Sequence, residues 1–176
     1  MNQQTLPPLS KKIIIIGANG TGKTSLLYKF QNSEDNTNID QHSSTTNIYT
    51  QLIDDIRCSF WDFPHFSDNV YKDNAQGIIM VIDNTKLSMD YLIQRYHQIK
   101  DKIVMICLNK SDLFSNHELE QTVNKIKDLF TMDSDKIITT SIIHNININK
   151  MFIQTAHNTP IQSPIIQETS TYCLMQ

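Results

Sequence analysis

The sequence predicts an α/β fold with a six-stranded, mostly parallel sheet, one antiparallel edge strand, and helices on both faces. Short apolar runs alternate with stretches of helical periodicity along most of the chain. One pair of runs is separated only by Asp54-Asp55, the spacing of an antiparallel hairpin. The length of 176 residues suits one ordinary domain with its own apolar core.

The predicted elements follow in order along the chain. The first strand is a continuous apolar run that ends at a glycine, and the second and third flank the aspartate turn. The six predicted strands are 11–17, 48–53, 56–61, 77–83, 102–108 and 136–142. Helical patterning fits 23–31, 88–99, 117–130 and roughly 148–157. These elements predict one folded domain over 11–157, with a flexible N-terminal arm at 1–10 and a flexible, proline-interrupted tail at 158–176.

Composition and charge exclude several classes of function. The net charge is −3 and no run of Lys or Arg exceeds two residues, so nucleic acid is not an expected partner. No apolar run approaches the length of a membrane span, and the first ten residues lack the features of a secretory signal, which predicts a cytoplasmic protein. The three cysteines are few, odd in number and widely spaced, which argues against a disulfide framework or a zinc site.

Three of the four glycines in the chain fall within six residues, in the string GANGTGKT at 17–24. This string fits the pattern G-x-x-x-x-G-K-[ST], and it lies directly between a predicted strand and a predicted helix. Glycines let backbone N–H groups converge on an anion, and the helix N-terminus adds a favourable dipole. Lys23 supplies a point charge to the outer phosphates, and the hydroxyl of Thr24 is a ligand for Mg²⁺. The string therefore predicts a phosphate-binding loop of the P-loop NTPase type.

A second motif, LNKSD at 108–112, follows the fifth predicted strand at its carboxyl end, where ligands bind in open α/β sheets. The carboxylate of Asp112 can accept hydrogen bonds from both the ring N–H and the exocyclic amino group of guanine. Adenine presents no such pair of donors. The motif therefore favours a guanine nucleotide over an adenine nucleotide.

Together these motifs resemble those of the Ras superfamily of small GTPases, over about residues 11–157. The resemblance implies binding of GTP and GDP with Mg²⁺, and it assigns Asn109, Lys110 and Asp112 to the guanine-reading motif. Ser141 would support Asp112, and the backbone N–H of Ile142 would meet the guanine oxygen. The full set of implied nucleotide-binding residues is Asn19, Gly20, Thr21, Gly22, Lys23, Thr24, Ser25, Thr46, Asn109, Lys110, Asp112, Ser141 and Ile142.

The resemblance also implies three metal-binding residues, Thr24, Thr46 and Asp62. Thr46 occupies the position of the switch I threonine that binds Mg²⁺ in the GTP state, with Thr45 as an alternative one residue away. Asp62 occupies the position of the switch II aspartate that holds Mg²⁺ directly or through water. The local strings around these residues are similar to those of the Rag-type branch, but that branch has a different base motif and a second domain.

Switch II departs from the family pattern D-x-x-G-Q. His65 stands where the glycine is expected, and Phe66 stands where the glutamine that orients the attacking water is expected. Phenylalanine cannot hydrogen-bond a water, and a side chain at the glycine position restricts the backbone flip toward the γ-phosphate. Asn19 is a further departure, since a small residue there usually leaves room for the glutamine and an arginine finger. These changes predict slow GTP hydrolysis, with His65 as a catalytic base kept as an alternative.

The last four residues, Cys173 to Gln176, fit the C-a-a-X prenylation motif. A single prenyl group gives only marginal, reversible attachment, which predicts cycling between the cytosol and the cytoplasmic face of a membrane. The preferred hypothesis is a GTP/GDP switch in signalling or membrane trafficking, with effector proteins, an exchange factor and a GTPase-activating protein as partners. The alternative is a pseudo-GTPase scaffold that binds nucleotide statically or weakly and recognises partners constitutively through Phe63 and Phe66.

Overall fold

The computed structural model describes residues 9–32, 47–63 and 74–161. Within these ranges the chain forms six strands and four α-helices. The strands are β1 (Ser10–Ile16), β2 (Asn47–Ile53), β3 (Ile56–Asp62), β4 (Gly77–Ile82), β5 (Ile103–Leu108) and β6 (Ile137–Thr139). The helices are α1 (Lys23–Gln31), α2 (Lys86–Ile99), α3 (Asn116–Phe130) and α4 (Ile148–Asn158). No helix of the described ranges is long and apolar enough to cross a membrane.

The six strands form one sheet in the order β2-β3-β1-β4-β5-β6. All neighbouring pairs are parallel except β2 and β3, which pair antiparallel. The predicted fold class is therefore confirmed, including the single antiparallel edge strand. Because β1, β3, β4, β5 and β6 run in the same direction, their carboxyl ends lie along one edge of the sheet.

The β2–β3 hairpin turns at Asp54 and Asp55, which have φ angles of 49° and 63°. Positive φ at both central residues is typical of the type I′ turn that suits the twist of a two-residue hairpin. Aspartate tolerates this left-handed conformation better than most residues because its short side chain can hydrogen-bond locally. The local sequence thus fixes where the hairpin turns.

Alternate residues of β1 face two separate apolar cores. Ile13 and Ile15 are buried in the core that contains residues of α1 and α4, whereas Ile14 and Ile16 are buried in the core that contains residues of α2 and α3. This arrangement explains why β1 reads as a continuous apolar run, since a strand buried on both faces needs no polar alternation. In the first core the rings of Phe30 and Phe152 stack with centroids 4.2 Å apart, which helps to hold α1 against α4.

Element bounds differ from prediction by a few residues. The helix α2 begins two residues earlier than predicted, because Thr85 caps its first turn by accepting a hydrogen bond from the backbone N–H of Ser88 at 3.3 Å. The largest difference is at the last strand, which was predicted to reach residue 142 and ends at Thr139. Ser141 instead forms an isolated antiparallel bridge with Ile146, so the chain turns back there.

Candidate nucleotide-binding site

The predicted phosphate loop connects the carboxyl end of β1 to the N-terminus of α1. Gly22 is the N-cap of α1, with a φ of 94°, and as a glycine it provides no side-chain cap for this helix. A Cβ atom at Gly22 would overlap the side-chain amide of Asn109, and one at Gly17 would overlap the carbonyl oxygen of Val81. Glycine is therefore required at both positions by close packing. The helix presents its N-terminal N–H groups without a competing side-chain cap, and these groups include those of Lys23, Thr24 and Ser25.

The side chain of Lys23 folds back onto the first residues of this loop. Its ammonium donates hydrogen bonds to the carbonyl oxygens of Gly17 at 3.0 Å and Ala18 at 3.1 Å, and only 7 % of the residue is exposed. Burial lowers the pKa of Lys23, and the negative charge of Asp62 partly offsets that effect. A buried cation whose partners are mainly neutral carbonyls favours an anion beside it. The loop tip at Asn19 and Gly20 is exposed, which leaves this side of the loop accessible.

The residues predicted to bind metal on β3 and α1 lie together. The hydroxyl of Thr24 donates to the Oδ2 atom of Asp62 at 2.5 Å. Asp62 is 1 % exposed, and its Oδ1 atom has no hydrogen-bond partner among the described residues. A buried carboxylate oxygen without a partner is costly unless a cation or water satisfies it.

This pair fits the way proteins bind Mg²⁺, which takes oxygen ligands and is held by one or two protein groups together with phosphates and waters. No cluster of three or more His, Cys, Asp or Glu side chains in the described ranges is arranged to hold a metal ion. The Thr24–Asp62 pair supplies one hydroxyl and one carboxylate, a donor set of the kind that holds Mg²⁺ together with phosphate oxygens and waters.

Asn109 connects the base-binding side of the site to the phosphate loop. Its side-chain amide is fully buried, donates to the carbonyl oxygen of Thr21 at 2.9 Å, and accepts from the hydroxyl of Thr140 at 3.0 Å. Its backbone N–H donates to Ile82 at 2.8 Å, which ties the end of β5 to the end of β4. Thr140 is not among the residues predicted to bind nucleotide. The signal for it is its place in the string TTSI, directly before Ser141.

Lys110 follows Asn109 and adopts a left-handed backbone conformation with a φ of 61°. Its ammonium donates to the Oδ2 atom of Asp83 at 2.8 Å. Asp83 is a second residue of the site that is not among the predicted ones. Its only sequence signal is a carboxylate at the end of an apolar strand.

Asp112, predicted to read guanine, is fixed by Ser141. The hydroxyl of Ser141 donates to Asp112 Oδ1 at 2.5 Å, and this hydrogen bond is the main cause that lowers the pKa of Asp112. Ser141 is fully buried and exchanges two backbone hydrogen bonds with Ile146, so its position is itself constrained. The side chain of Ile142 lies near Gly22, since a Cβ atom placed on that glycine would be 3.2 Å from Ile142 Cδ1. The base loops and the phosphate loop are thus in contact.

Other predicted residues lie outside the described ranges. These are Thr45 and Thr46 of switch I, His65 and Phe66 of switch II, and the prenylation residue Cys173. Just before the switch II pair, the half-buried ring of Phe63 stacks on Trp61 with centroids 6.2 Å apart.

Comparison with known proteins agrees with this geometry. The family model described as Roc, Ras of Complex, the Roc domain of DAPkinase, matches residues 12–112. That match covers more than half of the chain and includes the phosphate loop, Asp62 and the guanine motif. This chain belongs to the Ras superfamily of small GTPases. Proteins of this superfamily bind GTP and GDP, generally with Mg²⁺.

Individual relatives come from two branches of the superfamily. The Ras-related protein Rab-1 of Theileria parva is 32% identical over 160 residues, which cover 80% of this chain and 70% of the relative. The ADP-ribosylation factor-like protein 5 of Dictyostelium discoideum is 32% identical over 119 residues, covering 58% of this chain and 61% of the relative. The human ADP-ribosylation factor-like protein 5A is 28% identical over 117 residues. The chain therefore spans about three fifths of the length of the ADP-ribosylation factor-like relatives that it matches.

Proposed function

We propose that this small GTPase binds GTP and GDP together with Mg²⁺ and acts as a nucleotide-dependent switch. The observation that carries the proposal is the convergence of three chemically distinct features at one edge of the sheet. These are the uncapped N-terminus of α1, the partly unsatisfied carboxylate of Asp62, and the ionised carboxylate of Asp112. A nucleotide has the matching groups, namely phosphates, a phosphate-bound cation and a base with two adjacent N–H donors.

Each part of the site has a defined task in this proposal. The N–H groups of α1 and the ammonium of Lys23 bind the phosphates, and Thr24 and Asp62 hold the cation, with Thr46 or Thr45 as a further metal ligand. Bound Mg²⁺ supplies positive charge that offsets the charge on the phosphate oxygens. Asp112 accepts from the guanine N–H groups, and Ser141 keeps it in place.

GTP hydrolysis is proposed to be slow. Intrinsic turnover in this class is already of order 10⁻⁴ to 10⁻³ s⁻¹, even with a glutamine that orients the water. Here Phe66 takes the glutamine position and cannot hydrogen-bond water, and His65 takes the glycine position. We therefore expect turnover below that range, unless His65 itself acts as a base.

Two measurements on the full chain test the proposal. Mass spectrometry of nucleotide co-purified with the protein, followed by titration with GTP and ATP, checks the base preference. Single-turnover hydrolysis then checks the rate, with Phe66→Gln as the matched variant that restores the usual water-orienting side chain. We expect guanine nucleotide in the purified protein, a strong preference for GTP over ATP, and faster turnover in the variant. Equal affinity for ATP and GTP would contradict the proposed base site.

A pseudo-GTPase scaffold is the second candidate function. The stacking of the half-buried ring of Phe63 on Trp61 favours it, because aromatic side chains that stay partly exposed can contribute to a partner surface, and a further phenylalanine, Phe66, follows in the sequence. The two candidates differ in how partners respond to nucleotide. Partner binding that is identical with GDP and with a non-hydrolysable GTP analogue supports the scaffold, whereas a large difference supports the switch.

Prenylation at Cys173 would place the protein reversibly at the cytoplasmic face of a membrane. Relatives named for Rab and ADP-ribosylation factor-like proteins support a role in trafficking or signalling with effectors, an exchange factor and a GTPase-activating protein as partners.

A further inference from the structure

Asp83 and Lys110 are brought together by the register of two parallel strands. Ile82, the last residue of β4, pairs with Leu108, the last residue of β5. The residues that follow these strand ends are therefore neighbours at the carboxyl edge of the sheet. The Lys110 ammonium donates to Asp83 Oδ2 at 2.8 Å, although 27 residues separate the two in sequence.

The Asp83 carboxylate is held in place independently of the lysine. Its Oδ1 atom accepts from the hydroxyl of Thr85 at 2.6 Å and from the Thr85 backbone N–H at 3.3 Å. The backbone N–H of Asp83 separately donates to the hydroxyl of Ser88 at 2.9 Å, a bond that involves the main chain and not the carboxylate. Asp83 is buried, so its carboxylate has a fixed position and little access to water. Burial acts to raise the pKa of Asp83, but hydrogen bonds from Lys110 and Thr85 and the charge of Lys110 lower it overall, so the group stays ionised.

Lys110, in contrast, is held at its backbone and at its ammonium, and the side chain between them is partly exposed to solvent. Its backbone is held in the left-handed conformation, its ammonium is held by Asp83, and 37 % of its side chain is exposed. A free lysine side chain loses much rotamer freedom when a ligand orders it. Contact with Asp83 orders this side chain before any ligand arrives, and such preorganisation strengthens binding without adding a contact to the ligand.

We propose that Asp83 is a positioning residue for the guanine site, which holds the Lys110 ammonium so that the methylene chain of this lysine is presented to the base. The inference rests on the proposed function, because it concerns how the same nucleotide is retained. It adds a residue that makes no contact with the nucleotide in the proposal and acts only through Lys110. Its consequence is kinetic: Asp83 slows the release of guanine nucleotide.

The test is the release rate of a fluorescent GDP analogue from the Mg²⁺-loaded full chain, measured with excess unlabelled GDP. We expect Asp83→Ala to speed release about tenfold, since a charge-assisted hydrogen bond is lost. Asp83→Asn keeps an acceptor in the same place, is the safer variant for folding, and is expected to speed release about threefold. Ser88→Ala is the matched control, because it removes a buried hydrogen bond to the same residue without touching Lys110.

A double-mutant cycle separates positioning from a merely structural role. If Asp83 acts through Lys110, then Asp83→Ala combined with Lys110→Ala releases the analogue as fast as Lys110→Ala alone, within about twofold. Release by Ser88→Ala stays within about twofold of the unmodified protein. Multiplicative effects in the double variant, or an equal effect of Ser88→Ala, would overturn the inference and leave the proposed function standing. Failure of the unmodified protein to bind GDP would overturn both.

Discussion

The hydrogen bond from Thr140 to Asn109 gives a test of how the site is held together. Replacement of Thr140 by valine keeps the shape of the side chain and removes its hydroxyl. Both residues are fully buried, so water cannot replace the lost donor and the Oδ1 atom of Asn109 is left without its partner. An unsatisfied buried acceptor costs about 1–3 kcal/mol, and complete burial places this case near the upper part of that range.

We therefore expect Thr140→Val to lower the free energy of unfolding by about 2–3 kcal/mol. For a domain of this size, that change lowers the midpoint of urea unfolding by about 1 M. The variant also loosens Asn109, whose amide donates to Thr21 in the phosphate loop. GDP release is thus expected to become about tenfold faster, equivalent to about 1.4 kcal/mol. Urea unfolding followed by circular dichroism, and release of fluorescent GDP, measure the two effects.

Thr155→Val is the matched control. Thr155 is equally buried, but its hydroxyl donates to the carbonyl of Met151 within α4, which also takes part in the helical hydrogen-bond pattern. We expect this control to lower stability by about 1 kcal/mol or less and to leave GDP release unchanged. Thr140→Ser, which retains a hydroxyl, should recover most of the loss. Equal effects of the two valine variants on stability and release would refute the reasoning.

Three further predictions concern the ligands of the site and the chain end. Asp112→Asn should weaken GDP binding at least about 100-fold in titration calorimetry, because the amide presents an N–H donor to a guanine N–H. In the same assay the unmodified protein should keep its GDP affinity between pH 7.5 and 5.5. The sign follows from the lowered pKa of Asp112, which keeps the carboxylate ionised until the pH falls through that lowered value. Asp62→Ala should make GDP release insensitive to EDTA, because the buried carboxylate that fits Mg²⁺ is lost; release that still accelerates with EDTA would contradict this metal role. Cys173→Ser should move the protein from the membrane fraction to the soluble fraction on cell fractionation, and an unchanged distribution would rule out the proposed anchor.

The parts of this protein that sequence predicts well are those whose physics is local. The phosphate loop needs glycines, a lysine and a threonine within eight consecutive residues, so phosphate binding can be predicted from this string without knowledge of the fold. The Asp54-Asp55 turn is similarly local, and the structure places both residues at positive φ as a two-residue hairpin requires. The number and type of the strands also follow from the apolar runs and from the turn residues that separate them. The end of β6 does not, because the chain turns back after Thr139 to form the bridge between Ser141 and Ile146, which apolar patterning does not reveal.

Thr140 and Asp83 could not be assigned from sequence because their partners lie far along the chain. Thr140 meets Asn109 across 31 residues, and Asp83 meets Lys110 across 27. Neither residue is part of a sequence motif whose spacing indicates a particular chemistry. Their roles depend on burial and on the register of neighbouring strands, which a single sequence does not encode as a readable motif.

The sequence by itself thus determined the fold class, and it predicted the phosphate loop and the guanine motif, since each depends on residues close together in the chain. Tertiary structure decided which distant groups complete the site. The parallel order β3-β1-β4-β5-β6 brings five strand ends to one edge. There Asp62, at the end of β3, lies beside Thr24 of α1, and Asp83, just after β4, lies beside Lys110. The physical reason is that a buried carboxylate is stable only with a partner at hydrogen-bond distance, and the sheet register selects that partner.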